Sequence, residues 1–264
     1  MLDDITPIIL TLDEAPNIGR NLEQLRWAKD IVIVDSRSAD ATLSIAARHA
    51  TVRVFQRPFD SHAEQWNFAL HGTGIGTSWV LALDADYVLS DELVRELSAL
   101  VPPADVSGYR ARFVYCVNGK PLRASVYTPV TVLFRRDRSH YAQDGHTQRV
   151  KVEGKVEPLS SVIYHDDRKS RSRWVASQKR YMRIEAEKLL SAEWKALRWP
   201  ERIRRLRVVA PFAMLFYCLF AKGLILDGRA GVAYSLQRAY AELLLSFDLI
   251  QRDLAGIPGL RRRG

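Results

Sequence analysis

Two aspartates, Asp84 and Asp86, follow a short apolar run, and they are the residues of this sequence whose chemistry is easiest to infer. Side chains two residues apart in an extended chain point the same way, so both carboxylates can face one bound cation. Mg²⁺ typically takes one or two protein carboxylates together with oxygens of a substrate phosphate. The pattern Asp-x-Asp often arises by chance, and its position after the strand-like run 79–83 makes it informative. We therefore predict a site for a metal ion and a diphosphate.

The elements that position these aspartates follow from alternating apolar runs and amphipathic stretches in the first hundred residues. Strands are predicted at 7–11, 31–34, 52–55 and 79–83, and helices at 16–27, 41–47, 62–70 and 91–100. Single helices between strands imply right-handed βαβ units and a parallel sheet. Ligands of open α/β sheets bind at the carboxyl ends of the strands, where Asp84 is expected to lie.

Further polar residues are predicted at the same edge of the sheet. Thr11 and Glu14 follow the first strand, and Asp35 ends the second strand, where its carboxylate could accept hydrogen bonds from a base or a ribose hydroxyl. An aspartate at this place can equally be a turn or helix N-cap residue. The sequence contains no Gly-x-Gly-x-x-Gly after the first strand and no Walker sequence, which argues against a dinucleotide oxidoreductase or a P-loop enzyme. The diphosphate of a nucleotide would then be held by a metal and side chains.

The character of the sequence changes after residue 103. A hairpin is predicted around the turn Asn118-Gly119, with arms at 109–117 and up to 127, and further strands are predicted at 131–134 and 147–152. We interpret 104–169 as a mixed β region that lies beside the parallel half.

Three residues of this β region are candidates for chemistry. Asp144 and His146 lie in a predicted loop, where either could remove a proton from an acceptor hydroxyl, although Asp144-Gly145 is also a common turn sequence. His165 closes another predicted strand and could be a further metal ligand, or simply a hydrogen-bonded residue at a strand end.

The last quarter of the chain combines basic and apolar segments after a helical pattern at 172–197. Five arginines precede an apolar run at 208–221, which is shorter than the ~20 residues of a membrane-spanning helix. They are Arg198, Arg202, Arg204, Arg205 and Arg207. With the amphipathic stretch 233–254 and Arg261 to Arg263, this composition is typical of a helix that lies in an anionic membrane interface. A buried core helix is the alternative interpretation.

Composition restricts the partners. A net charge of +9 implies an acidic partner such as nucleic acid, a phosphorylated substrate or an anionic membrane surface. The arginines are concentrated beside an apolar run and not spread along one groove, which favours lipid and argues against nucleic acid. Two widely separated cysteines exclude a disulfide framework. The N-terminal residues do not have the pattern of a signal peptide, so a cytosolic active site is expected.

Three motifs in this order resemble glycosyltransferase family 2. They are 9–14 with Asn17-Ile18, 31–42 and 83–86. The segments 56–59, 65–70, 134–136 and 226–231, together with His146, are similar to the branch that contains the lipopolysaccharide-core β-1,4-glucosyltransferases. The resemblance implies a GT-A fold, a sugar-nucleotide donor, Mg²⁺ or Mn²⁺ as cofactor, and inversion at the anomeric carbon.

The resemblance also implies roles for particular residues. Those that would hold the nucleoside are Thr11, Leu12, Glu14 and Asp35, and those that would hold the donor and the metal are Asp84 and Asp86. The branch has Gln-Arg-Asn where this chain has Gln65-Trp66-Asn67, so Asn67 remains a donor ligand and Arg57 would supply the missing cation. The branch has His-Glu where this chain has His146-Thr147, which moves the candidate base to Asp144.

Together these inferences predict a GT-A glycosyltransferase domain at 1–193 and a helical, membrane-associated region at 194–264. Within the domain, 1–103 would bind the nucleotide sugar and 104–169 would form the acceptor side. The expected reaction moves a hexose from a nucleoside-diphosphate sugar to a lipid-linked or lipopolysaccharide-type glycan at the cytoplasmic side of the inner membrane. A polyprenyl-phosphate glycosyltransferase and a non-catalytic nucleotide-sugar-binding protein are the alternatives.

Overall fold

The computed structural model describes the backbone of residues 1–144 and 147–255, and in these ranges the side chains of all residues except 143–149. The chain divides into two compact units, one of Met1–Pro121 with Tyr127–Lys169 and one of Leu122–Val126 with Ser170–Gly264. This division comes earlier than the predicted boundary at 193/194. The reason is that the helix Arg171–Ser191 packs against the long helix Gly228–Leu254 of the second unit.

The first unit is built around a mixed sheet. Its strands are β1 (Ile5–Thr11), β2 (Ile31–Asp35), β3 (Val52–Gln56), β4 (Trp79–Asp84), β5 (Tyr87–Leu89), β6 (Val106–Val117), β7 (Lys120–Pro121), β8 (Val130–Arg135), β9 (Ser139–Asp144), β10 (Thr147–Val152) and β11 (Lys155–His165). Its helices are α1 (Ile18–Glu23), α2 (Thr42–Ala46), α3 (His62–His71) and α4 (Asp91–Ala99). The strands and helices predicted in the first hundred residues are confirmed, although α1 is shorter at both ends than expected.

The strand order of the main sheet is β3-β2-β1-β4-β8-β6-β11-β5, and β7 pairs with β6. Strands β3, β2, β1 and β4 are parallel neighbours, whereas β8 is antiparallel to β4 and to β6. Strands β9 and β10 form a separate antiparallel ribbon. The predicted mixed sheet with a parallel half is therefore confirmed.

Strands β1, β2 and β4 are buried on both faces, which explains why they are apolar runs in the sequence, whereas the edge strand β3 is partly exposed. Alternate residues of a strand point to opposite faces. One face packs against α1 and α4, and it includes Ile9, Ile33, Leu81 and Leu83. The other face packs against α3, and it includes Ile8, Val32, Val34 and Val80. The carboxyl ends of β1, β2 and β4 are thereby held in fixed register.

The β region differs from the prediction in detail. The turn Asn118-Gly119 is confirmed, with φ of 50° and 81° at its two residues, but its second arm is only β7. Strands β5 and β9 were not predicted. The first follows the turn after Asp84 with three residues only, and the second is polar without apolar alternation, so neither has a clear periodic signal.

The second unit is helical. Its helices are α5 (Arg171–Ser191), α6 (Trp199–Arg205), α7 (Val209–Phe216), which continues as a π-helix at Tyr217–Ala221, and α8 (Gly228–Leu254). The helix predicted at 172–197 ends earlier, at Ser191, and a short 3₁₀ turn follows at Trp194–Ala196. Apolar residues of α5 and α8 form the core of this unit.

Arg204, one of the five arginines expected to contact lipid, is paired inside the second unit. Its guanidinium lies 2.6 Å from a carboxylate oxygen of Glu242 and 3.3 Å from one of Glu185. Both carboxylates are almost fully buried, at 2 % and 4 % exposure, whereas 27 % of the Arg204 side chain is exposed. Arg204 therefore neutralises two buried charges and stabilises this unit.

The neighbouring arginines are also engaged by the protein. Arg198 pairs with Glu201, Arg207 pairs with Asp253, Arg205 donates to the Ala192 carbonyl, and Arg202 donates to the Lys195 carbonyl. These arginines, which were predicted to face an anionic surface, thus have partners within the fold. Composition alone could not predict those partners. Arg261 to Arg263 lie outside the described residues.

Candidate active site

The carboxyl edge of the parallel strands brings the predicted donor and metal residues together. Leu10 of β1 lies opposite Asp84 of β4, and Thr11 lies opposite Asp35 of β2. Asp84 is exposed at the end of its strand, and Asp86, in the turn before β5, is 9 % exposed. Both carboxylates therefore lie at this edge, as predicted, although Asp86 lies in a turn and not in the extended chain that the spacing argument assumed.

Asn21 of α1 fixes the turn that carries Asp84 and Asp86. Its side-chain amide donates to the main-chain carbonyls of Asp84, at 3.1 Å, and of Tyr87, at 2.7 Å. Asn21 is fully buried. A buried amide that bridges two carbonyls holds a turn in one conformation, because losing either hydrogen bond would leave a buried polar group unpaired. The sequence analysis missed this positioning residue, since an asparagine in a helical pattern gives no signal of it.

His165, at the end of β11, faces Asp86. Its Nε2 lies 3.2 Å from a carboxylate oxygen of Asp86, and both side chains are largely buried. Burial disfavours the charged forms, but the mutual attraction prevails: the pKa of His165 is raised and that of Asp86 is lowered. The pKa of Asp84 is also raised. The surrounding protein limits the hydration of its carboxylate, although part of the side chain is exposed, and the neighbouring Asp86 charge adds to the effect.

The donor set suits a hard divalent cation. The second carboxylate oxygen of Asp86, Oδ1, is buried without a hydrogen-bond partner in the described part of the chain. Such an orphaned oxygen is costly unless a ligand satisfies it. In the arrangement described here, residues 1–144 and 147–255 contain no preformed group of three or more metal-binding side chains. Asp84, Asp86 and His165 have the oxygen and nitrogen donors for such a site.

Asp35, at the end of β2, is one of the residues predicted to hold the nucleoside. It is fully buried, and its carboxylate accepts hydrogen bonds from the Thr11 hydroxyl at 2.8 Å, the Ser38 amide at 2.8 Å and the Gln56 amide at 3.4 Å. These donors organise the loop after β2. Direct contact between Asp35 and a nucleoside would require some of them to move. Leu12, directly after Thr11, is 42 % exposed at this edge.

Glu14 joins the loop after β1 to the segment after β11. One of its carboxylate oxygens lies 2.5 Å from Nζ of Lys169, and the other accepts a hydrogen bond from the Asn17 amide at 2.8 Å. Burial raises the pKa of Glu14, and Lys169 and Asn17 offset this only in part. The Asn17 amide also donates to Asp167 at 3.0 Å.

Asp166 anchors the same segment from its other side. It forms a 2.7 Å ion pair with Arg20 of α1, and it accepts a hydrogen bond from the Gly119 amide at 3.0 Å. Its own amide donates to the main-chain carbonyl of Asp86 at 3.0 Å. The polar run 165–169 is therefore part of the site, although sequence reasoning recognised only His165 there.

Two predicted donor residues are engaged elsewhere. The Arg57 side chain pairs with Asp60, donates to the Glu64 carbonyl and lies over the Phe68 ring. Asn67 exchanges two hydrogen bonds with the main chain of Tyr141, at 2.8 and 3.0 Å, and so ties α3 to β9. Neither side chain is turned towards Asp84 and Asp86 by the contacts that hold it.

Trp66 occupies the place where the resembling branch has arginine. It is 3 % exposed and stacks on Tyr141, with ring centroids 5.1 Å apart. Trp66 therefore belongs to the core between α3 and the β9–β10 ribbon. The backbone of Asp144 ends β9 and pairs with Thr147, but the Asp144 side chain and the whole of His146 lie outside the described residues.

Comparison with known proteins identifies the family. The model of Glycosyl transferase family 2 matches residues 6–150, more than half of the chain. An uncharacterized glycosyltransferase of Rickettsia bellii is 24 % identical, with 97 % of this chain and 90 % of that protein covered. The lipopolysaccharide core biosynthesis glycosyltransferase LpsC of Rhizobium meliloti is 31 % identical, with 50 % of this chain and 48 % of that protein covered.

Two solved structures are also similar. Residues 1–349 of TarS from S. aureus, in complex with UDP-GlcNAc, give a TM-score of 0.48 at 16 % identity, with 96 % of this chain and 92 % of that chain covered. Glucosyl-3-phosphoglycerate synthase from Mycobacterium tuberculosis, with Mn²⁺, UDP and phosphoglyceric acid, gives 0.47 at 13 % identity, with 70 % and 76 % covered. The family match and the mixed sheet confirm a GT-A-like fold. The chain belongs to glycosyl transferase family 2, and it is a glycosyltransferase.

Proposed function

We propose that this glycosyltransferase is inverting and metal-dependent, and that it moves a sugar from a nucleoside-diphosphate sugar, preferably a UDP-hexose, to a hydroxyl of a lipid-linked or lipopolysaccharide-type glycan. The pair Asp84 and Asp86, with His165 beside it at the carboxyl edge of the sheet, carries the proposal. The name of the R. meliloti relative, a lipopolysaccharide core glycosyltransferase, supports the acceptor class.

The roles of the donor-side residues follow from their positions. Asp86, Asp84 and His165 would hold Mg²⁺ or Mn²⁺, and a divalent cation at this place supplies the positive charge that neutralises a leaving nucleoside diphosphate. Thr11, Leu12 and Glu14 border the nucleoside side of the edge, and the buried Asp35 orients the loop that closes it. Asn67 and Arg57 act on the fold of α3 and its neighbours.

The acceptor hydroxyl requires a base. In a single displacement, the acceptor oxygen bonds to the anomeric carbon as the bond from that carbon to the diphosphate oxygen breaks, which inverts the configuration. We assign the departing hydroxyl proton to the Asp144 carboxylate, steered by His146. The β9–β10 ribbon that carries Asp144 is fixed to α3 through Asn67 and Tyr141.

A transfer assay with the purified full chain tests this function. Radiolabelled UDP-glucose, UDP-galactose, UDP-GlcNAc and GDP-mannose would each be offered with truncated lipopolysaccharide cores, with polyprenyl phosphate or with water alone, in the presence of Mn²⁺. We expect label on the glycan and an inverted anomeric configuration by NMR. Asp86→Asn should abolish transfer, and Asp91→Asn, an exposed aspartate in the first turn of α4, is its matched control. Label on polyprenyl phosphate alone would instead identify the rival acceptor class.

The second unit supports attachment to the cytoplasmic face of the inner membrane, peripheral or monotopic, where a lipid-linked acceptor lies. In α8, every residue that is exposed between 232 and 250 is apolar. These residues are Val232, Leu236, Tyr240, Leu243, Phe247 and Ile250. They follow one another at intervals of three or four, so they form one stripe along the helix. Helix α7 and its π-helical extension expose Phe212, Phe216 and Phe220 at intervals of four.

The length of these helices bears on the manner of attachment. Within the described ranges, no single helix is both long and apolar enough to cross a bilayer. Val209–Ala221 and Leu224–Leu254 satisfy length and composition only together, and they are bent by 71° where they meet. An exposed apolar stripe on such a pair suits shallow insertion among lipid acyl chains.

Vesicle sedimentation tests the attachment. Because the exposed stripe is apolar and the arginines are paired, we expect the wild type to sediment with phosphatidylglycerol-containing vesicles at low salt and to remain largely bound at high salt. Phe216→Ser combined with Phe247→Ser should weaken binding more than about 100-fold, since each buried Phe side chain contributes about 1.5–3 kcal/mol. Val101→Ser, at an exposed valine of the first unit, is the control. A wild type that stays in solution at both salt concentrations would contradict the attachment.

A further inference from the structure

Lys169, four residues after the end of β11, is one of the site residues to which sequence reasoning assigned no role. Its Nζ lies 2.5 Å from a carboxylate oxygen of Glu14 and 3.7 Å from one of Asp167, and its side chain is 19 % exposed. A lysine that is mostly buried among carboxylates remains charged. Burial works against that charge, but Glu14 and Asp86 outweigh it and raise the pKa of Lys169.

The segment that carries Lys169 is held in place at several points. The Arg168 amide donates to the side-chain oxygen of Asn17 at 2.9 Å, and the Lys169 amide donates to Asp167 at 2.9 Å. Arg20 binds Asp166, whose amide in turn bonds to the Asp86 carbonyl. The ammonium group is thus held beside Glu14, in the loop after β1, and it lies close enough to Asp86 for the two charges to attract.

A donor diphosphate would meet a strongly acidic surface here. The carboxylates around this edge are Glu14, Asp84, Asp86 and Asp167. One divalent cation leaves this set negative overall, and the diphosphate adds further negative charge. His165 is directed at Asp86, and Arg57 is held by Asp60. Lys169 is the lysine whose described contacts place its ammonium group in this carboxylate cluster.

We propose that the Lys169 ammonium group binds the diphosphate of the sugar-nucleotide donor and supplies the positive charge that Arg57 was expected to give. An ammonium group has three donors, so Lys169 can bond to a phosphate oxygen while it keeps Glu14 as a partner. Glu14 and Asp167 then position the ammonium group. The proposal rests on the proposed function, because it requires a nucleoside-diphosphate donor.

Nucleotide binding without catalysis tests this assignment. Titration calorimetry in Mn²⁺ would first identify which of UDP, GDP, CDP and dTDP the wild type binds, and then compare that diphosphate with its nucleoside. Lys169→Gln should weaken diphosphate binding by about 10–100-fold, the usual effect of losing a hydrogen bond to a charged group, and should change nucleoside binding less than about twofold. Lys169→Arg should restore most of the diphosphate affinity.

Lys155→Gln is the matched control. Lys155 also forms a 2.5 Å ion pair, with Glu157, but it is the first residue of β11 and lies at the opposite end of that strand from His165. It should leave both affinities unchanged. If Lys169→Gln lowers diphosphate and nucleoside affinity equally, with a lower melting temperature that Lys169→Arg does not rescue, Lys169 only clamps Glu14 and the proposal fails. Unchanged diphosphate affinity also overturns it. A wild type that binds none of the four diphosphates refutes the donor class itself, and with it this role of Lys169.

Discussion

Replacing Arg204 by methionine separates a structural role of the arginine cluster from a role in lipid binding. Methionine keeps most of the apolar stem and removes the guanidinium group. The buried carboxylates of Glu242 and Glu185 then lose the cation that lies 2.6 and 3.3 Å away. Lipid binding by these arginines would predict weaker vesicle association and an unchanged fold. The observed pairing predicts loss of stability.

The size of the effect follows from burial. Removing one partner of a buried ion pair costs about 3–5 kcal/mol, because a charge remains in a poorly solvated place. Arg204 has two such partners, at 2 % and 4 % exposure, so we expect the upper part of this range. In a domain of this size each kcal/mol lowers the melting temperature by several degrees, so Arg204→Met should melt at least about 10 °C below the wild type.

Thermal unfolding followed by circular dichroism measures this difference. Arg202→Met, on the same helix, is the control, because the contacts of Arg202 are an exposed hydrogen bond to the Lys195 carbonyl and the face of the Trp194 ring, and not a buried carboxylate. Adding Glu242→Gln to Arg204→Met should recover part of the loss, since it removes one uncompensated charge. A melting temperature for Arg204→Met within about 2 °C of the wild type, together with weaker vesicle binding, would refute the reasoning.

Three further predictions concern the site and the second unit. EDTA should abolish transfer and Mn²⁺ or Mg²⁺ should restore it, and Asp86→Asn should fold normally and remain inactive with either metal; activity in EDTA would contradict the metal role. Asp144→Asn should lower kcat by about 10²–10⁴-fold with unchanged donor affinity by calorimetry, and a much larger loss in His146→Ala would exchange the two roles. Hydrogen bonds from Arg198 lower the pKa of Glu201 from 4.5 to about 2, so this pair stabilises the fold above pH 4.5 and its contribution disappears as the pH falls towards 2. The melting-temperature deficit of Glu201→Gln should therefore shrink over that window, and a constant deficit would show that the charge is not responsible.

The parallel half could be predicted because its central strands, β1, β2 and β4, are clear apolar runs in the sequence. A strand buried on both faces is a continuous apolar run, and the chain must leave the sheet where that run ends. Asp35 and Asp84 stand at such ends, so their common edge followed from sequence alone. The pairing of Leu10 with Asp84 depends in addition on β1 lying beside β4, a strand order that the sequence analysis did not predict.

The contacts around Lys169 could not be predicted in the same way. Asn17 and Arg168 are 151 residues apart, and Glu14 and Lys169 are 155 apart. Such pairs depend on how β11 returns beside β6 and β5, and no local periodicity encodes that return. For Arg57, a contact with the donor was expected because the residue lies close in sequence to the donor motifs. In the structure, the partners of its side chain are Asp60 and Phe68.

The distribution of polar and apolar residues around helix α8 bears directly on the expected membrane attachment of the second unit. Periodicity indicated an amphipathic helix, but it did not show which face the protein covers. The covered face holds the core residues Leu245 and Leu249 together with Glu242 and Ser246, whose polar groups are satisfied by Arg204 and by main-chain carbonyls. The outer face carries Leu243 and Phe247, whereas a helix at a water-exposed surface has polar residues there. Burying paired polar groups while exposing leucine and phenylalanine is unfavourable in water, and it becomes favourable where the outer surroundings are hydrocarbon. The distribution of polarity around α8, and not the number of arginines before it, is thus the physical reason to expect a membrane at this surface.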